Sequence, residues 1–188
     1  MSYALGEIEG LCRKAAKGAG FTWGEAEETG QAIRVLAASR LPAVRTFAHY
    51  LEALEAGIVP SQTCPIRLGC QLIDGSRVSA FSCAFPLLLM PFIARVAAVQ
   101  NRALLLSSEG FQATAAPCMA ITLVKTTEVN CDLQLTPTAA PAAIARVYRA
   151  EASGADIVSL SQFAQRTYAP ETEARRQQGA GAGNDGNR

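Results

Sequence analysis

Apolar residues recur every three or four positions over the first sixty residues and every second position through much of the middle of the chain. Ile8, Leu11, Cys12 and Ala15 follow the spacing of a helix that buries one face. Gly18 and Gly20 close it, since glycine accepts the left-handed cap conformation. Thr22 opens a second helix with Glu25 three residues on, the reciprocal capping-box pattern. Its stripe of Ala26, Gly30, Ile33 and Ala37 is small enough to let a neighbouring helix approach closely. Pro42 suits the first turn of a third helix, with Val44, Phe47, Ala48, Leu51 and Leu54 on one face and Gly57 past its end.

The period changes after residue 60. Ile66, Leu68, Cys70 and Leu72 alternate with Arg67, Gly69 and Gln71, which predicts a half-buried strand. Asp74-Gly75 is a turn signal that returns residues 78–85 as the hairpin partner. Pro91 starts a short helix through Arg102 that packs Phe92, Ile93, Val96 and Val99. Residues 104–108, 111–115 and 119–125 read as strands, with Glu109-Gly110 between the first two. Val129, Cys131, Leu133 and Leu135 alternate with Asn130, Asp132 and Gln134, the cleanest strand pattern in the chain. Helical spacing returns at Pro141, with Ile144, Val147 and Tyr148 on one face, and Ser161 caps a last helix holding Phe163 and Ala164. The whole pattern predicts an α+β fold: three N-terminal helices, a central antiparallel or mixed sheet with one inserted helix, and C-terminal helices. Residues 1–176 are expected to form a single domain. Residues 177–188 have almost nothing to bury and read as a flexible Gly-rich tail.

Composition narrows the chemistry. The 188 residues leave room for one real core. Lys+Arg 17 against Asp+Glu 16 gives a net charge of +1, so no global attraction to nucleic acid is expected. Residues 61–140 carry only 5 basic and 4 acidic side chains, which places the core there, wrapped by more polar helices, and points to self-association as a homodimer. Residues 79–94 are strongly apolar, but Arg77 and Arg95 bracket them and Pro86 and Pro91 interrupt them. A bilayer needs roughly 20 apolar residues, so the run reads as a buried strand leading into a core helix. The opening residues lack the basic start and apolar run of a signal peptide, and a cytoplasmic chain with reduced thiols is expected.

The cysteines are Cys12, Cys64, Cys70, Cys83, Cys118 and Cys131, read as small buried hydrophobes. Cys64 and Cys70, the closest pair, miss the short spacing of a zinc knuckle. His49 is the only histidine, so a site needing two imidazoles is impossible. No metal site and no cofactor are expected.

Three stretches carry candidate chemistry, each beside a plainer alternative. Tyr168 to Arg176 gathers a phenol, Glu171, Glu173, Arg175 and Arg176 beside a proline-fixed turn, with Arg166 just upstream; the alternative is a solvated extension. Glu27 stands one helical turn after Trp23, and an acid against an aromatic wall can serve as general acid or base. The alternative is a tryptophan anchored in the core beside acids that favour the helix dipole. Gly179, Gly181 and Gly183 resemble a phosphate loop, yet no strand precedes them and the sixth position is Asn184. Their backbone N–H groups could still form an anion nest.

The opening stretch from Glu7-Ile-Glu-Gly to Glu28, the closing one from Arg166-Thr-Tyr-Ala-Pro to Gly183, and Cys64-Pro-Ile-Arg-Leu-Gly with Asp74-Gly resemble an uncharacterised bacterial family of unknown function over most of the chain. That resemblance implies that the tail's Gly-Ala-Gly-Ala-Gly is a recurrent feature. The first sixty residues, ending in Arg45-Thr-Phe-Ala-His-Tyr through Val59-Pro60, also resemble the N-terminal part of the malate/L-lactate dehydrogenase family that lacks a Rossmann fold. The Ser-His-Gly segment carrying that family's catalytic histidine would fall near residues 39–44, where this chain has no histidine. The resemblance therefore implies lost dehydrogenase chemistry.

Two functions follow from these readings. The first is a non-catalytic or accessory protein that binds a small metabolite or a protein partner, through Trp23, Arg166, Arg175, Arg176 and the tail glycines. The second is a small enzyme in which Glu27, Tyr168 and Glu173 converge for acid–base chemistry.

Overall fold

The capping and stripe residues of the first sixty positions build the helices they predict. The computed structural model describes residues 1–76, 79–141 and 145–168. After a short strand β1 (Ser2–Ala4) come α1 (Leu5–Gly18), α2 (Trp23–Ala38) and α3 (Ala43–Glu55). Thr22 Oγ1 accepts the Glu25 N–H at 3.2 Å while Glu25 Oε2 accepts the Thr22 N–H at 2.8 Å, so the capping box closes as expected. The small stripe of α2 does what its size allows. A Cβ at Gly30 would lie 2.9 Å from the Glu9 carbonyl oxygen, so glycine sets how near α1 and α2 come.

Next come α4 (Pro65–Ile73), β2 (Ala80–Cys83) and α5 (Met90–Gln100), then β3 (Ala103–Ser107), β4 (Gln112–Ala115), β5 (Ile121–Lys125) and β6 (Cys131–Thr138). A short strand β7 (Arg149–Glu151) and α6 (Gly154–Gln165) complete the described chain. The five strands form one antiparallel sheet in the order β2-β6-β3-β4-β5, and β1 pairs with β7 in a second, two-stranded sheet. The fold is α+β, with α5 as the inserted helix. It packs against β3, β4 and β5 on one side and against α2 and α4 on the other, and Met90, Ile93, Ala94 and Ala97 are fully buried. The apolar run at 79–94 is thus a strand leading into a core helix. Among the described residues no helix is long and apolar enough to cross a membrane.

Several expectations fail for identifiable reasons. Residues 66–72 are helical. Cys64 caps α4, Pro65 occupies its first turn, and the buried positions Ile66, Gly69 and Leu72 follow the helical three-residue step. Gly69 hid that step by reading as a polar position. It faces the core because a Cβ there would lie 2.4 Å from the Phe92 ring. The hairpin partner for 78–85 therefore does not exist, and β2 pairs with β6 instead. Asp74-Gly75 does turn the chain, with Gly75 at φ +98°, but it ends a helix.

The C-terminal part departs too. Of the helix expected from Pro141, residues 142–144 lie outside the described residues, and 145–148 are not helical. The Val147 N–H donates to the Ala38 carbonyl at 2.9 Å, and β1 then captures the following residues as β7, which leaves Tyr148 exposed. Ser161 lies inside α6; the cap is Ser153, whose Oγ accepts the Asp156 N–H at 3.0 Å. Val99 is 88% exposed rather than packed. Nor is the core confined to the middle of the chain, since Ile8, Ile33, Leu36, Phe47, Tyr50 and Leu51 are all fully buried. The tail at 177–188 lies outside the described residues.

Candidate functional site

The densest chemistry lies where α3 passes the head of α4. Cys64 is the N-cap of α4, and its sulfur accepts the Arg67 backbone N–H at 3.5 Å. Tyr50, on the buried face of α3, brings its hydroxyl to 3.0 Å from that sulfur. The phenol is packed by Phe21, Phe47 and Phe85, with Phe85 edge-on at 5.5 Å between ring centroids. Burial first, then the neighbouring Cys64 thiol, push the phenol far above its ordinary range. A phenol that keeps its proton can donate it to that sulfur. Cys64 also stands at the positive end of α4.

Arg67 supplies a cation one turn into α4. Its Nε–H donates to Glu25 Oε1 at 3.2 Å, and its guanidinium lies 5.8 Å from the centre of the Phe21 ring. Burial acts to raise the Glu25 carboxyl. The Thr22 N–H, the Thr22 hydroxyl and Arg67 outweigh it and hold the carboxyl below its usual range. The capping box of α2 thus also anchors a residue of α4. Phe85 sits at φ 47°, a left-handed conformation that costs a non-glycine residue of order 1–2 kcal/mol. Its N–H donates to the Glu128 carbonyl at 3.2 Å, and the Glu128 side chain lies 3.1 Å from His49 Nδ1. His49 is half-buried beside Tyr50, the boundary position its pattern predicts.

A cavity of about 180 Å³ opens beside this cluster, lined by Gly20, Phe21, Leu54, Val59, Cys64 and Arg67 among others. It is smaller than the ~300–1,000 Å³ typical of sites for drug-sized ligands. Larger hollows exist with poorer chemistry. One, about 840 Å³, lies between the ends of α4 and α5 and the sheet, and Arg102 is its one titratable lining residue among those described. Another, about 480 Å³, lies at the start of α3 with Arg40, Arg149 and Glu151. Among the described residues no group of three or more His, Cys, Asp or Glu side chains is placed to hold a metal ion.

The residues singled out from sequence are placed elsewhere. Three basic side chains of α1 meet them on the outer surface. Arg13 Nη1 pairs with Glu27 at 3.1 Å, Lys14 Nζ donates to the Tyr168 hydroxyl at 3.2 Å, and Lys17 Nζ lies 5.3 Å from the centre of the Trp23 ring. Trp23 is 58% exposed, so it is neither a core anchor nor an apolar wall for Glu27. Arg166 pairs with Glu55 at 2.8 Å and lies over Phe163. None of these side chains lines the three cavities described above. Glu171, Glu173, Arg175, Arg176, Gly179, Gly181 and Gly183 lie outside the described residues.

Sequence reading passed over Tyr50, Cys64 and Arg67. Their signal was a cysteine directly before a proline, the N-cap and N1 positions of a helix, with the arginine at N3. The apolar alternation that follows hid it.

Residues 3–83 match a family described as Protein of unknown function (DUF3726). The resemblance to an uncharacterised family therefore holds over this stretch, which takes in Phe21, Glu25, Tyr50, Cys64, Arg67 and Cys83. The match does not extend to the closing residues. The likeness to the malate/L-lactate dehydrogenase family is not shown. No curated protein and no solved structure matches the chain.

Proposed function

We propose that this chain binds a compact metabolite in the cavity between α3 and α4, and that Cys64 and Arg67 are the groups it meets. The observation that carries the reading is the Cys64 sulfur, which lines a cavity, lies 3.0 Å from the Tyr50 hydroxyl and accepts the Arg67 N–H at 3.5 Å. Glu25 occupies the Arg67 Nε–H, so the terminal amino groups are what a ligand's carboxylate or carbonyl oxygen would reach. The ligand class is therefore a small carboxylate or carbonyl compound. A binding or accessory role fits this better than acid–base catalysis by Glu27, Tyr168 and Glu173. Glu27 and Tyr168 stand on open surface.

A thermal-shift screen of small carboxylates and carbonyl compounds tests it, because a ligand that binds only the native state raises apparent stability. Hits should lose at least about tenfold in affinity, or about 1.4 kcal/mol, in both Arg67→Ala and Cys64→Ala. Hits that stabilise the variants as well as the parent chain would place the ligand elsewhere. A homodimer in the cytoplasm belongs to the same proposal, and light scattering that finds a monomer at tens of micromolar removes the dimer.

A further inference from the structure

Cys83 and Cys131 stand directly opposite each other across β2 and β6. Opposed residues of antiparallel strands share one face of the sheet, with Cα atoms about 4.5–5.5 Å apart. That lies inside the span of about 4.4–6.8 Å that a disulfide bridges. Both residues are free thiols, and both point to the inner face, where Leu133 follows Cys131 at the next inward position. The Cys131 sulfur reaches across to 3.9 Å from the Cys83 carbonyl oxygen. The two differ in access: Cys83 is fully buried and Cys131 is half-buried at the start of its strand.

We infer that Cys83 and Cys131 are a redox-active cross-strand dithiol, oxidised to an intramolecular disulfide by low-molecular-weight disulfides such as glutathione disulfide. The accessible thiol acts first. Cys131, as thiolate, attacks one sulfur of glutathione disulfide, forms a mixed disulfide and expels one glutathione thiolate. Cys83 then gives up its proton and attacks the Cys131 sulfur, which expels the second glutathione. Two cysteine S–H bonds are lost, one protein S–S bond forms, and one glutathione disulfide becomes two glutathiones that carry the two protons. Burial holds the Cys83 thiol well above its ordinary range and keeps it from competing for the first step, while its place opposite Cys131 suits it to the second. The inference goes beyond the cavity reading and does not depend on it. The two sites are neighbours all the same, because the Ala84 N–H, next to Cys83, donates to the Thr63 carbonyl, next to Cys64, at 3.0 Å.

The sequence suits a direct test, since trypsin places Cys83 in peptide 78–95 and Cys131 in peptide 126–146, each with a single cysteine. The folded chain carrying Cys118→Ser is incubated with glutathione disulfide, alkylated, digested without reduction and weighed by mass spectrometry. The expected product is 78–95 joined to 126–146, two hydrogens lighter than the sum of the free peptides, in most molecules and absent after dithiothreitol. Cys83→Ala should instead accumulate glutathione on Cys131, and Cys131→Ser should leave Cys83 unmodified. A persistent mixed disulfide on Cys131 in the parent chain overturns the inference. So does linkage of Cys83 to the Cys64 peptide 46–67, or the absence of any linked product.

Discussion

The two ends of α4 carry the same side chain in opposite surroundings. Cys64, at the head, is almost fully buried, yet its sulfur faces a hydroxyl, a backbone N–H and the positive end of the helix. Cys70, in the last turns, is half-buried, and burial followed by the charges of Glu28, Glu25 and Asp74 pushes its thiol up to about 11. Exposure alone would rank Cys70 as the more reactive. Hydrogen bonding ranks them the other way, because the Tyr50 hydroxyl and the Arg67 N–H meet the sulfur at the head of the helix. In the folded chain, Cys64 should therefore alkylate faster than Cys70 with iodoacetamide at neutral pH. The contrast teaches that a cysteine's place along a helix decides its chemistry.

The strongest way to break this contrast is to unseat the helix. Gly69→Leu puts side-chain atoms where the Phe92 ring lies 2.4 Å from an ideal Cβ. Overpacking of this kind costs about 1–3 kcal/mol, read as a lower urea midpoint, and the labelling difference between Cys64 and Cys70 should shrink as α4 leaves α5. An unchanged midpoint would show that the close approach is not needed. Tyr50→Phe is milder and more specific. It removes the hydroxyl 3.0 Å from the Cys64 sulfur, costs about 0.5–1.5 kcal/mol and should slow alkylation of Cys64 but not of Cys70. Equal slowing of both would mean the phenol acts only through packing.

Glu25 ties the two ends together, since it anchors Arg67 and its charge reaches Cys70. Glu25→Gln should cost about 0.5–1 kcal/mol at pH 7, as the loss of a capping and charge-assisted contact does. The sign with pH follows from the depressed carboxyl of the folded chain. The stabilisation is fully present above the unfolded glutamate value of about 4.3 and is lost as pH falls through the lower folded value. The parent and variant unfolding curves should therefore converge in acid, and a gap that persists there would mean the carboxylate charge is not its source. The smallest effect is expected from Asp74→Asn, with stability within about 0.5 kcal/mol. The pH at which Cys70 begins to alkylate should move down; no movement would remove Asp74 from the causes of the Cys70 shift.

Elements whose signals are local were legible. The Thr22–Glu25 box, Pro91 in the first turn of α5 and the alternation through Cys131, Leu133 and Leu135 each act within a few residues, and each forms as read. Two elements were not. Residues 66–72 fit both periods, and only the ring of Phe92, more than twenty positions away in sequence, fixes which face Gly69 presents. The strand at Arg149–Glu151 has no pattern of its own and exists because β1 offers it an antiparallel edge. The candidate site belongs to this second kind. Tyr50 reads as an aromatic of α3 and Cys64 as a buried thiol, and nothing in their spacing says that they touch.

Caps, turns and hydrophobic periods concern residues that are neighbours along the chain, so the sequence by itself determined the N-terminal helices, the strands β3 to β6 and the α+β class. The Tyr50–Cys64 contact, the Cys83–Cys131 pairing and the anchoring of Arg67 by Glu25 join residues 14, 48 and 42 positions apart. The tertiary structure alone decided these. Such contacts form only when whole helices and strands have packed, and their energy comes from desolvation and from donor–acceptor geometry that a one-dimensional pattern does not encode.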